Sequence, residues 1–167
     1  MTPKQSLSSA LIQQEKIESR IFLIRGQRVM LDRDLADLYG VETKYLNRQV
    51  KRNIDRFPKE FSFQLTAEEK MEVVTNWHHL TALKFSRTLP YAFTEHGVAM
   101  LATILKSERA VKISIHIVKT FIRLKEFIST HKELAQKIKG IVDIIKKRFV
   151  HEPEKTKPRI GIHAEGF

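Results

Sequence analysis

Apolar residues recur along this chain with two different periods, and the switches between them mark out its elements. Short apolar runs at Ile21 to Ile24 and at Arg28 to Leu31 flank Arg25, Gly26 and Gln27, which predicts a small β-hairpin. The period then lengthens. Leu35, Ala36, Leu38 and Tyr39 give one apolar side to a helix beginning at Arg33, and Asp32 is placed to accept from its open amides. Gly40 stops this helix, because glycine tolerates a positive φ just past a helix end. Val41 returns the chain to the core. Thr43 can cap a second helix running from Lys44 to about Asn53, on which Leu46 and Val50, four residues apart, share one face.

Further along, Phe57 and Pro58 end the helical pattern, and Phe61, Phe63 and Leu65 alternate with Ser62 and Gln64 as in a half-buried strand. Thr66 with Glu69 is a capping-box signature for a helix from Ala67 to about Asn76. Trp77 to Thr88 keeps neither period and reads as a loop with a helical turn. Leu89 to Phe93 reads as another short strand, after which Thr94 caps a helix from Glu95 to about Leu105. A break near Ser107 starts a longer stretch, with Ile113, Ile117, Phe121, Leu124 and Ile128 at helical spacing. Thr130 with Glu133 suits a restart, beyond which Leu134, Ile138, Ile141 and Ile145 follow four-three-four spacing. That seam is short for an independent coiled coil, so it is expected to pack on the domain or on its copy from another subunit. The expected class is α+β: an N-terminal extension (1–16), a small helix-turn-helix domain with short strands (17–106), long C-terminal helices (107–149) and a tail (150–167). Pro153, Lys155, Lys157 and Pro158 give that tail an extended or mobile character.

Composition narrows the partner. The 167 residues, 42% apolar, suffice for one domain with a modest core plus an appendage. Absence of cysteine removes disulfides and thiol chemistry and is compatible with a reducing cytosol. No run of eighteen apolar residues exists, and MTPKQSLSSALIQQEK lacks a signal peptide's apolar centre, so a cytoplasmic protein is expected. Thirty Lys and Arg against nineteen Asp and Glu leave a net charge of +11, which favours nucleic acid or an anionic membrane as partner.

The charge is sorted. Between Ser19 and Lys59 the acids Asp32, Asp34 and Asp37 sit on the first helix, while cations crowd the second helix and the residues just after it. Opposite Leu46 and Val50 the second helix carries Lys44, Asn47, Arg48, Lys51 and Arg52. These are residue types that reach phosphate oxygens or base edges, with Arg matched to guanine and Asn to adenine. Asn47 and Arg48 are therefore expected nearest the bases, and Lys44, Lys51 and Arg52 on phosphates. Tyr45 lies beside this face, where a phosphate contact and a packing role are equally open. A cap from Thr43 would set the helix amides near a phosphate. Arg25 and Arg28 on the hairpin are second-rank candidates for a phosphate contact, with an ordinary hairpin tip equally open. The ten cations between Ala110 and Arg148 suit either a DNA backbone or a solvated helix face.

Other chemistries find little support. His78 and His79 are adjacent and diverge on any regular backbone, no HExxH or cysteine cluster accompanies them, and no metal is expected. His96 has no matching nucleophile, and Glu95 and Glu108 read as helix N-terminal carboxylates. The scattered glycines form neither a Walker loop nor a dinucleotide fingerprint, so no cofactor is expected. A nuclease would need convergent carboxylates for Mg²⁺, and Asp32, Asp34 and Asp37 fit a cap and a solvated face better. The chain thus reads as a non-enzymatic binder of double-stranded DNA, without a small-molecule substrate. A homodimer through the C-terminal helices is a further expectation. The alternative is an interaction adaptor whose basic helix docks on an acidic regulator.

IRGQRVMLDRDLADLYGVETKYLNRQVKRNIDRFPKEFSFQLT, with LPYAFTEHGVAML downstream, resembles the KilA-N superfamily of bacterial and phage DNA-binding domains, in the branch named for the N-terminal domain of phage open reading frame six (ORF6N). The likeness spans about Ile17 to Leu105, and the stretch Ser107 to Lys125 and the terminal KPRIGIH are also similar to full-length members. It implies a sequence-directed DNA-binding module, often a phage antirepressor or regulator, in a small α+β fold.

Overall fold

The computed structural model describes residues 13–150, so most of the N-terminal extension and the tail lie outside the described residues. The chain divides into two compact units, residues 1–125 and 126–167. In chain order the elements are β1 (Phe22–Ile24), β2 (Gln27–Leu31), α1 (Asp32–Tyr39), α2 (Thr43–Arg52) and a 3₁₀ turn at Ile54–Arg56. Next come β3 (Ser62–Gln64), α3 (Ala67–Asn76), a 3₁₀ segment at His78–Phe85, β4 (Tyr91–Phe93), α4 (Glu95–Leu105) and α5 (Glu108–Val150). The α+β expectation holds.

The first unit is built on a four-stranded antiparallel sheet in the order β1-β2-β4-β3. β1 and β2 close through a two-residue turn in which Arg25 and Gly26 both take positive φ, 53° and 71°, the turn whose twist matches that of the strands. Alternation along β2 sends Met30 to one face and Val29 and Leu31 to the other. Met30 and its cross-strand partner Phe93 join a core made with α1, α2, α4 and the first turns of α5, where Ile113, Ile117 and Phe121 are buried. On the opposite face Phe22, Ile24, Val29 and Leu31 meet Val73 and Val74 of α3 and Leu80 and Leu83 of the 3₁₀ segment. Trp77 closes that second core edge-on to Phe22, with ring centroids 4.6 Å apart.

Local signals explain most boundaries. At the start of α3, Thr66 accepts from the Glu69 amide at 3.2 Å while the Glu69 carboxylate accepts from the Thr66 amide at 2.9 Å, completing the capping box. Thr94 caps α4 and also donates to the Glu60 carbonyl at 2.8 Å, tying the helix to the turn before β3. Gly97 permits this approach, because a Cβ there would run into the carbonyl oxygen of Phe61.

Two expectations are corrected. Thr130 and Glu133 do not restart a helix, since α5 runs unbroken from Glu108 to Val150. Ser129 and Thr130 are tolerated inside a helix that carries strong helix formers on both sides, Arg123 to Glu126 before them and Lys132 to Lys137 after. The aperiodic Trp77 to Thr88 stretch is mostly 3₁₀ helix, held by Leu80 and Leu83 in the core. In the second unit, residues 126–149 are helical and exposed on every side, with Phe127, Leu134, Ile138, Ile141 and Ile145 forming an apolar line among charges.

Candidate nucleic-acid interface

The α1–α2 corner is set by how α1 ends. Gly40 adopts φ 70°, its amide bonds to the Asp37 carbonyl at 3.2 Å, and the Val41 amide bonds back to the Ala36 carbonyl at 3.0 Å. This paired closure satisfies two helix-end carbonyls and returns half-buried Val41 to the core. Arg109 adds a clasp from α5. Its guanidinium lies 3.1 Å from where a Cβ on Gly40 would stand and donates to the Leu38 carbonyl at 3.4 Å. Buried Tyr39, which donates to or accepts from Ser114 at 2.8 Å, fixes the same helix end, and burial pushes its phenol up to about 12.

α2 then packs on α1 and α4 through Leu46 and Val50. At about 100° per residue, Arg48 stands opposite the midline of those two anchors, with Lys44, Lys51 and Arg52 to either side. All four are exposed, and among the described residues none forms an ion pair. Half-exposed Tyr45 borders the arc, sharing a shallow surface hollow with Lys44 and Arg48.

Asn47 is placed differently from this group. It is half-buried and its Nδ2 donates to Asp32 Oδ2 at 2.8 Å. The same carboxylate accepts from the Arg33 amide at 2.8 Å and the Tyr91 amide at 3.3 Å, joining α1, α2 and β4. Burial raises the Asp32 pKa despite these donors. In this conformation Asn47 braces α2 against α1. Thr43 does not cap it: Glu42 is the N-cap residue, no side-chain cap bond forms, and Thr43 already belongs to the first turn.

The hairpin arginines diverge too. Arg25 grips Glu69 through two hydrogen bonds of 2.9 and 2.8 Å and lies 4.4 Å above the Phe63 ring. That grip holds the Glu69 carboxyl at about 2, well below the usual range. Arg25 is therefore a tie between hairpin and α3. Arg28 is half-buried beside Glu95 and His96, on a different element from the α2 arc. The α1 carboxylates are not a solvated row: Asp32 and Asp34 are buried, and only Asp37 is exposed. Burial raises the Asp34 pKa, and its Oδ2 lies 3.7 Å from His79 Nε2. Arg20 bonds Asp37 at 2.8 Å and holds that carboxyl below its usual value.

Sequence periodicity passes over the segment across from the helix start. A cleft of about 330 Å³ has Thr43, Lys44 and Asn47 on one side and Leu83, Ser86 and Thr88 on the other. Next to it Phe85 is 82% exposed between exposed Lys84 and Arg87. The available signal is the local KFSR pattern, an aromatic among cations in a stretch without acids.

These features define a helix-turn-helix-containing α+β domain with a cationic second helix. The ORF6N domain family matches residues 19–104, just over half of the chain, and the protein belongs to that phage-related family. No curated protein and no solved structure matches it. Among the described residues there is no helix long and apolar enough to cross a membrane and no cluster of three potential metal-ligating side chains.

Proposed function

We propose that this protein is a non-enzymatic, sequence-directed DNA-binding factor, a transcriptional regulator or antirepressor-like protein, that lays α2 in the major groove. The observation that carries the reading is the arc of Lys44, Arg48, Lys51 and Arg52, turned outward opposite the buried anchors and without internal ion pairs among the described residues. Three other arginines of the first unit are engaged internally: Arg25 by Glu69, Arg20 by Asp37, Arg109 by a helix-end carbonyl. Arg48 has the central position for base edges. Lys44, Lys51 and Arg52 flank it at positions suited to phosphates.

Self-association belongs to the same proposal. Phe127, Leu134, Ile138, Ile141 and Ile145 are spaced seven, four, three and four apart on an exposed helix, a pattern that a second copy of the helix would cover. Leu134→Asp is expected to leave the mass measured by sedimentation at the monomer value, whereas wild type sediments as a dimer. An unchanged mass between the two proteins would refute the pairing.

Duplexes selected from a random pool, titrated at several salt concentrations, test the main reading. Arg48→Ala is expected to cost about 1–3 kcal/mol and relax preference at one position, and Lys51→Ala to weaken all duplexes and reduce the salt slope by about one. Equal small losses on every duplex from both variants would sink the division between reading and anchoring.

A further inference from the structure

We infer that Phe85 is a second nucleic-acid contact, an aromatic wedge that inserts against a base step of the duplex held by α2, with Lys84 and Arg87 on neighbouring phosphates. The inference rests on the DNA-binding reading of α2 and adds a different element and a different kind of contact to it.

Phe85 ends the 3₁₀ segment and, at 82%, is more exposed than any other large apolar side chain among the described residues. The backbone beneath it is held from both sides. Leu83 is buried in the second core, the Ser86 amide bonds back to the Leu83 carbonyl at 3.1 Å, and the buried Lys70 ammonium donates to the Ser86 carbonyl. Two residues on, the Thr88 amide bonds to the Ser86 hydroxyl at 3.3 Å. The ring thus projects from an anchored turn, which lowers the conformational cost of placing it in a partner.

Position supplies the identity of that partner. Leu83 and Ser86, on either side of Phe85 in the chain, line a cleft together with Thr43, Lys44 and Asn47, so the segment that carries the ring runs past the start of the helix proposed to enter the groove. Lys84 and Arg87 are exposed, and His78 to Pro90 contains no acidic residue. A lone exposed phenylalanine is unremarkable on a protein surface. One set between cations, next to a basic helix, has the composition of nucleic-acid contacts in which an apolar side chain unstacks a base step while cations hold the backbone.

The test uses the full chain and a short mixed-sequence duplex carrying a fluorescent adenine analogue whose emission rises when it is unstacked. Wild type is expected to bind and raise the emission. Phe85→Ala should lose affinity by about tenfold to a hundredfold and abolish the emission change, with an unaltered salt slope because no charge is removed. Phe85→Leu, which keeps an apolar wedge, should restore much of both, while Lys84→Ala should shallow the salt slope by about one. Melting temperature checks that the exposed substitution leaves the fold intact. If Phe85→Ala binds and brightens the duplex like wild type while Arg48→Ala binds more weakly, the wedge is wrong and the α2 reading survives. If wild type binds no duplex at low salt, both fall together.

Discussion

α1 and α2 are neighbours of similar length, yet they are used in opposite ways. Six of the eight residues of α1 are buried, two of them aspartates, whereas α2 buries only Leu46 and Val50 among its ten. The first turns its polar groups on the protein itself: buried Asp32 on three donors, buried Asp34 facing His79, and exposed Asp37 on Arg20. The second keeps its cations outside. A helix-turn-helix corner needs this division, because a helix can be held out rigidly only if another is fixed behind it.

The contrast is most severely tested in α1. Leu35→Ala, at a fully buried site, should cost about 2–5 kcal/mol of unfolding free energy in chemical denaturation. Next comes Asn47→Ala, which removes a donor from a buried carboxylate and should cost about 1–3 kcal/mol. Intact stability together with weakened DNA binding would instead show that Asn47 swings outward to read bases. Arg48→Ala should change stability by no more than about 0.5 kcal/mol, so its binding loss would occur without a folding defect. A melting shift as large as that of Leu35→Ala would erase the distinction between brace and presented helix.

The smallest effect concerns the hairpin tie. The folded-state pKa of Glu69 is lowered to about 2, so its stabilising contribution is present above the usual carboxylate range and is lost as pH falls through about 2. Glu69→Gln should melt earlier than wild type near neutral pH, and the difference should shrink steadily on acidification. A gap that widens with acid would reverse the assignment.

Much of this architecture is legible in the sequence because it is written in short-range terms. The Thr66–Glu69 box, the glycine at the end of α1 and the 3.6 period of α2 each need only a few neighbouring residues to act. Long-range partners leave no comparable trace. Arg25 and Glu69 are 44 positions apart, and Asp32 meets the Tyr91 amide across 59, so a free hairpin arginine and a solvated aspartate are the natural readings from periodicity alone. Asn47 obeys the same rule. Its place on the helix wheel, at the shoulder between anchors and cations, allows either an outward amide or one turned onto a carboxylate from the preceding helix. Thr43 misses its expected role by one residue, a shift that local capping preference does not resolve.

β2 ends at Leu31 and α1 begins at Asp32, with no residue between them. Met30 and Leu31 are still paired to Phe93 and Ala92 when the chain enters the helix. A pivot of α1 would therefore have to unzip part of the sheet, and α2 inherits that immobility through the Asp32 bond. Association with a duplex should then carry little penalty for ordering the protein, which predicts a fast encounter governed by charge and an entropy change dominated by released counterions.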